Sequence, residues 1–169
     1  GEEDEDLINA GKQPVTLLTG GAYFHHADSF AMMRGGHLDY SILGGFQVAE
    51  NGDLANWITD APDAIAAIGG AMDLAVGAKQ VLVMMEHTTK TGGAKLLHHC
   101  TYPLTGAGVV DYVYTDLAII QVSAGRFIIR AMVQGLTQQQ LQDLSEATLH
   151  MDGPCQTIRV DSAGQPYLD

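Results

Sequence analysis

The chain has 169 residues, 20 acidic against 8 basic side chains, a formal net charge of −12, 46% apolar residues and only 17% charged ones. That length suits one domain able to bury about two-thirds of its unfolded surface, and the apolar fraction is too high for a disordered chain. The charge argues against nucleic acid or an anionic membrane surface as a partner, because both select basic patches. No apolar run approaches the ~20 residues that span a bilayer.

The chain opens without Met, on Gly1 followed by five consecutive acids at 2–6, which reads as a solvated or cut end. Short β-rich runs follow at 15–18, 38–43, 81–85, 109–114, 117–122 and 127–132. Several are nearly continuous apolar stretches, the pattern of strands buried on both faces of a mainly parallel sheet. Asp28 or Ser29 can cap a helix running to Arg34, which Gly35-Gly36 ends. A second helix is expected over 71–78, after Gly69-Gly70, and a short third around 95–99. Thr137 and Gln140 form a capping box that opens a helix through Leu141 and Leu144. Strand, helix, strand, helix, strand in the first hundred residues is the α/β pattern: a layered, mainly parallel sheet with flanking helices. The stretch 109–132 reads as a meander turning at Ala124-Gly125. Residues 150–169, with Gly153-Pro154 and Gly164, read as a partly extended tail, separate from a domain over 1–149.

The chemistry-bearing residues are ambiguous one at a time. Seven histidines include the adjacent pairs His25-His26 and His98-His99, whose side chains point apart; with no H-E-x-x-H or C-x-x-C spacing, no metal is expected. Cys100 and Cys155 are too few for a disulfide framework and follow no secretory signal, so a reduced, cytoplasmic protein is expected. Ser29 lacks a nucleophile elbow, and neither dinucleotide nor P-loop glycine patterns occur. Glu86-His87 closes an apolar strand at the carboxyl end, where open α/β sheets keep their sites; position alone leaves a functional and a strand-closing role equal. Gly69-Gly70 before a helix can cradle a phosphate, carboxylate or oxyanion, but a tight loop is the commoner reason for such a pair. Arg34 reads as a helix-end cation, and Trp57 as a packing or interface anchor.

Taken as an ordered series, the residues say more. The runs 29–37 (SFAMMRGGH), 43–48 (LGGFQV), 52–57 (GDLANW), 69–74 (GGAMDL), 85–87 (MEH) and 100–106 (CTYPLTG) resemble the B subunit of the class I 3-oxoacid CoA-transferases. The runs 7–18 (LINAGKQPVTLL) and 20–28 (GGAYFHHAD) look most like the 3-oxoadipate:succinyl-CoA branch, which serves the breakdown of aromatic compounds. The resemblance covers about residues 7–147.

It implies a layered α/β fold shared with sugar-phosphate isomerases of the ribose-5-phosphate type. It implies an A subunit partner, an A2B2-type heteromer, an active site at the A–B interface and a CoA thioester as co-substrate with no bound cofactor. A Glu carboxylate would attack succinyl-CoA, pass through an anhydride to a glutamyl–CoA thioester, and hand CoA to a 3-oxo acid. By motif, Gly70 would give its backbone N–H to the oxyanion hole, Gly69 would support the turn, and Lys12 would lie near CoA; Glu86-His87 matches a motif without an assigned role. The family's nucleophilic Glu sits in a Ser-Glu-Asn-Gly motif that would stand upstream of Gly1, and Glu2, Glu3 and Glu5 lack that context. The expected protein is therefore a B subunit or its C-terminal fragment, inactive by itself, with its own N-terminal piece as a further candidate partner. A catalytically silent structural fragment is the alternative. A sugar-phosphate isomerase is weaker still, since eight Lys and Arg offer little for a phosphate.

Overall fold

A computed structural model describes residues 6–9 and 11–169. The chain divides into two compact units, Gly1–Ala31 and Met32–Asp169. Glu2, Glu3 and Glu5 of the acidic run lie outside the described residues.

In the first unit an antiparallel bridge joins Ile8 and Pro14. The Asn9 N–H donates to the Gln13 carbonyl and the Val15 N–H to the Leu7 carbonyl, each at 3.0 Å. Lys12 lies at the tip of this turn, exposed, with a left-handed φ of 59°. The strand expected at 15–18 does not form. A strand needs a neighbour to take its backbone groups along its length, and beyond Val15 no strand pairs with this run among the described residues; Leu18 is left 83% exposed. Helix α1 (His26–Arg34) begins before Asp28, because His25 Nδ1 accepts the Ala27 N–H at 3.1 Å and so supplies the cap.

The second unit holds two sheets. Strands β1 (Leu38–Gly44), β4 (Ala78–Met84) and β6 (Tyr112–Tyr114) lie side by side and parallel. The sheet continues antiparallel through β7 (Ala118–Ser123) and β8 (Arg126–Val133). The β7–β8 connection is Ala124-Gly125 with φ of 51° and 70°, the two-residue turn whose twist suits a hairpin. A smaller sheet sets β2 (Gln47–Ala49) between β3 (Leu54–Ala55) and β5 (Leu96–Leu97). Helix α2 (Ala71–Gly77) links β1 to β4 and packs on both. Helix α3 (Gln138–Asp143) starts at the capping box, with Thr137 Oγ1 accepting from Gln140 N–H at 3.2 Å. Beyond it, β9 (Leu149–His150) and β10 (Gln156–Val160) each add parallel to β8, and β11 (Pro166–Leu168) adds antiparallel to β10.

The core lies between the sheets: Val48, Leu54 and Leu96 of the small sheet meet Val83, Val113, Ile120, Phe127 and Ile129 of the large one, with Leu141 of α3. Two expectations need correction here. The helix expected around 95–99 is β5, because Leu96 and Leu97, 0% and 5% exposed, are both spent on the core and are too few to sustain a helix. The apolar runs of β1 and β4 are buried on one face only: Ser41, Val81 and Val83 face the core, whereas Tyr40, Ile42 and Met84 are 57–63% exposed.

Candidate active site

Strands β1, β4 and β6 deliver their carboxyl ends to one edge of the sheet. Helix α2 leads directly into β4. Its last residue, Gly77, abuts the Met33 carbonyl, where an added Cβ would clash, and the chain passes directly into the start of β4. Gly69-Gly70 opens this short helix, whose first turn is tied by Asp73 to Arg34, just before β1.

The segments singled out in the sequence are tied together at this edge. Gln47, buried, accepts from the Thr101 and Tyr102 N–H groups at 2.8 and 3.1 Å and donates to Thr101 Oγ1 at 2.8 Å. Asn56 donates to the Gly44 carbonyl and accepts from Thr105 Oγ1 at 2.6 Å. Trp57 donates its indole N–H to the Leu104 carbonyl at 3.2 Å, so the lone Trp is a packing anchor within this unit. The Trp57 carbonyl in turn takes the Ala67 N–H at 3.1 Å, which fixes the loop leading to Gly69. Gly69 has φ +49°, a left-handed conformation that glycine adopts without strain. Gly70 occupies the cap position, with no side-chain cap. Among the described residues no acceptor takes the Gly70 N–H. Arg34 donates to Asp73 in the first turn of α2 at 2.6 Å, a structural pair.

Glu86 and His87 separate. His87 is 1% exposed and bonded through both ring nitrogens: Nε2 to Ser145 Oγ at 2.9 Å and Nδ1 to Thr115 Oγ1 at 3.1 Å. Its backbone N–H donates to Asp116 Oδ1 at 2.7 Å. Ser145 Oγ also donates to the Leu141 carbonyl at 3.1 Å and Thr115 Oγ1 to the Ala118 carbonyl at 3.2 Å, so both hydroxyls are held in place around the ring. Burial pushes the His87 pKa down, with Asp116 opposing, so the ring is neutral. His87 thus pins the end of β4 to the segment just after α3 and to the β6–β7 turn, while Glu86 is exposed.

Glu86 borders a cleft of about 550 Å³. Phe46 and Tyr102 give it apolar walls, Thr59, Thr88 and Thr89 hydroxyls, and Lys90 and Lys95 positive charge. Sequence reasoning missed these lysines; the available signal was two of only eight cations flanking the Gly92-Gly93 turn just beyond a buried strand. Cys100 is half-buried, and its thiol is pushed up to about 11 by desolvation first and by Asp53 second, which makes it unreactive at neutral pH. Among the described residues no group of three or more His, Cys, Asp or Glu converges on a metal position. No helix among them is long and apolar enough to cross a membrane.

Known proteins agree with this geometry. The coenzyme A transferase family matches residues 1–143, and the chain belongs to that family. It is 60% identical over 149 residues to the B subunit of 3-oxoadipate CoA-transferase from Pseudomonas putida, covering 88% of this chain and 70% of that protein. It is 48% identical over 147 residues to the B subunit of succinyl-CoA:3-ketoacid coenzyme A transferase from Helicobacter pylori, covering 87% and 70%. The crystal structure of the acyl-CoA transferase YdiF from Escherichia coli O157:H7 superposes with a TM-score of 0.71 at 16% identity, over 82% of this chain and 31% of that one, a likeness of fold. The chain is thus a CoA-transferase chain of the B-subunit type. Gly69 and Gly70 open helix α2; Lys12 belongs to the first unit.

Proposed function

We propose that this chain is the larger part of the B subunit of a transferase that moves CoA from succinyl-CoA to 3-oxoadipate, working with an A subunit in an A2B2-type heteromer. The observation that carries the reading is the 60% identity, over 88% of the chain, to a protein of that name. Residues 1–149 form its CoA-transferase portion. The nucleophilic Glu belongs to the full-length protein upstream of Gly1. Its carboxylate attacks the succinyl-CoA carbonyl and expels CoA thiolate, leaving a mixed anhydride. The thiolate returns to the glutamyl carbonyl and releases succinate. The 3-oxo acid's carboxylate then displaces CoA from the glutamyl thioester, and the thiolate attacks the 3-oxoacyl carbonyl to free the Glu. Covalent catalysis splits one hard transfer into steps of matched energy.

Each step passes through a tetrahedral oxyanion. The Gly70 N–H, without an internal acceptor and backed by the start of α2, suits that charge, and one such donor is worth about 3–4 kcal/mol in other enzymes. Gly69 supports the turn. Lys12, exposed on its turn, suits a CoA phosphate. Both cysteines are free thiols, in keeping with a reducing cytoplasm.

The test uses the full-length protein assembled with its A subunit. Borohydride added after succinyl-CoA should reduce the glutamyl–CoA thioester and abolish activity, and prior removal of CoA esters should protect. Full activity after that treatment rejects the covalent path.

A further inference from the structure

The cleft beside the carboxyl ends of β1 and β4 is open to a ligand, and its charges are unspent. Of the eight Lys and Arg, Arg34, Lys79, Arg126 and Arg159 are held in ion pairs with Asp73, Asp39, Asp152 and Asp169. Arg130 is committed to Gln121 and the Asp152 carbonyl. Lys12 belongs to the first unit. The remaining two, Lys90 and Lys95, have no ion-pair partner among the described residues, and both line this cleft. In a chain of net charge −12, leaving two cations together and unpaired is unusual.

The loop that carries them is braced from within. Thr89 N–H donates to the Gly93 carbonyl at 2.8 Å, the Gly93 N–H returns to Thr89 Oγ1 at 2.9 Å, and Thr88 bridges Ala94. The Lys95 carbonyl accepts from the Val48 N–H at 3.0 Å, which anchors the loop's end to the small sheet. Lys95 is only partly solvated, and burial lowers its pKa while Glu86 and Asp116 pull it back up. An ammonium short of water and with no carboxylate in direct ion-pair contact among the described residues gains from an arriving one. The cleft lies within the size range of small-ligand sites. Thr59 on its wall belongs to the loop that leads to Gly69.

We propose that Lys95, assisted by Lys90, binds the remote carboxylate of dicarboxylic acyl substrates and so selects them over monocarboxylic 3-oxo acids. The inference rests on the CoA-transferase reading given above and names the residues behind its acceptor class. Glu86, on the same cleft, limits the attraction and sets Lys95 rather than an uncompensated patch as the anchor. A charged hydrogen bond of this kind is worth about 10- to 100-fold in affinity.

The test uses the full-length heteromer with succinyl-CoA as donor and 3-oxoadipate or acetoacetate as acceptor. In a double-displacement reaction the acceptor's kcat/KM reports only the second half, so donor effects cancel. In Lys95→Gln, the ratio of kcat/KM for 3-oxoadipate to that for acetoacetate should fall about 10- to 100-fold, with Lys95→Arg restoring most of it. A ratio within twofold of wild type overturns the proposal. A second readout needs no variant: adipate should slow acetylation of Lys95 relative to Lys79 in the wild-type protein, and hexanoate should not. Equal labelling with and without adipate overturns it too. Should the wild type transfer CoA to neither acceptor, the proposed function fails, while adipate protection still reads the subsite separately.

Discussion

Replacing His87 by Ala should be strongly destabilising to the larger unit. The ring is 1% exposed and makes two hydrogen bonds that cross from the end of β4 to Ser145 just after α3 and to the β6–β7 turn. Each is worth about 1 kcal/mol net, and truncating a buried ring adds about 2 kcal/mol for the cavity, so the loss is about 4 kcal/mol. For a chain of this size that corresponds to a fall of about 8–16 °C in Tm. His87→Phe refills the space and should recover the cavity contribution only. The pH dependence carries a second signature. The folded pKa lies below the ordinary histidine value near 6.5, so the unfolded state binds the proton more readily. Stability from the neutral ring is therefore fully present above about pH 6.5 and is lost as pH falls below it, by at most ~1.4 kcal/mol per pH unit. Thermal unfolding of wild type and His87→Phe, in the assembled full-length protein from pH 5 to 8, isolates this contribution. His98, raised by its bond to Glu50, acts in the opposite sense and is common to both proteins. Parallel pH curves, or a His87→Ala midpoint within 2 °C of wild type, would refute the reasoning.

Other positions give sharper single readings. Ser41 Oγ is buried on the core face of β1 without a hydrogen-bond partner among the described residues, so Ser41→Ala should be neutral or stabilising by up to ~1 kcal/mol in denaturant titration; a loss above that would place an unseen partner on the hydroxyl. Gly77→Ala should lower stability by about 1–3 kcal/mol in the same titration, because the new methyl meets the Met33 carbonyl, and an unchanged midpoint would count against that contact. The Cys100 thiol, pushed up to about 11, should alkylate far more slowly than a free peptide cysteine at pH 8 and accelerate as pH rises; peptide-like rates by mass spectrometry would contradict its burial.

Local chemistry settled much of this chain before any folding. The Thr137–Gln140 box, the Ala124-Gly125 hairpin, the helix after Gly70 and the β1, β4, β7 and β8 runs are all short-range signals. Each depends on residues within one turn or one strand, and each forms close to where the sequence puts it, with β4 starting three residues early, at Ala78, where the helix is expected to end. The ordered motifs added the family, because several spaced segments in sequence carry information that no single Gly-Gly or Glu-His pair holds. Long-range packing decided the rest. Leu96-Leu97 became a strand because β2 offered a ladder and the core a place for both side chains; 15–18 did not, because among the described residues no strand pairs with it beyond Val15. Glu86 and His87 are neighbours in sequence, yet one opens onto a cleft and the other is locked inside. Only contacts with Thr115 and Ser145, 28 and 58 residues away, make that difference. The pairing of Lys90 with Lys95 over one cleft has the same origin: the strand order brings Phe46, Thr59 and Tyr102 around a loop that the sequence presents only as a glycine turn.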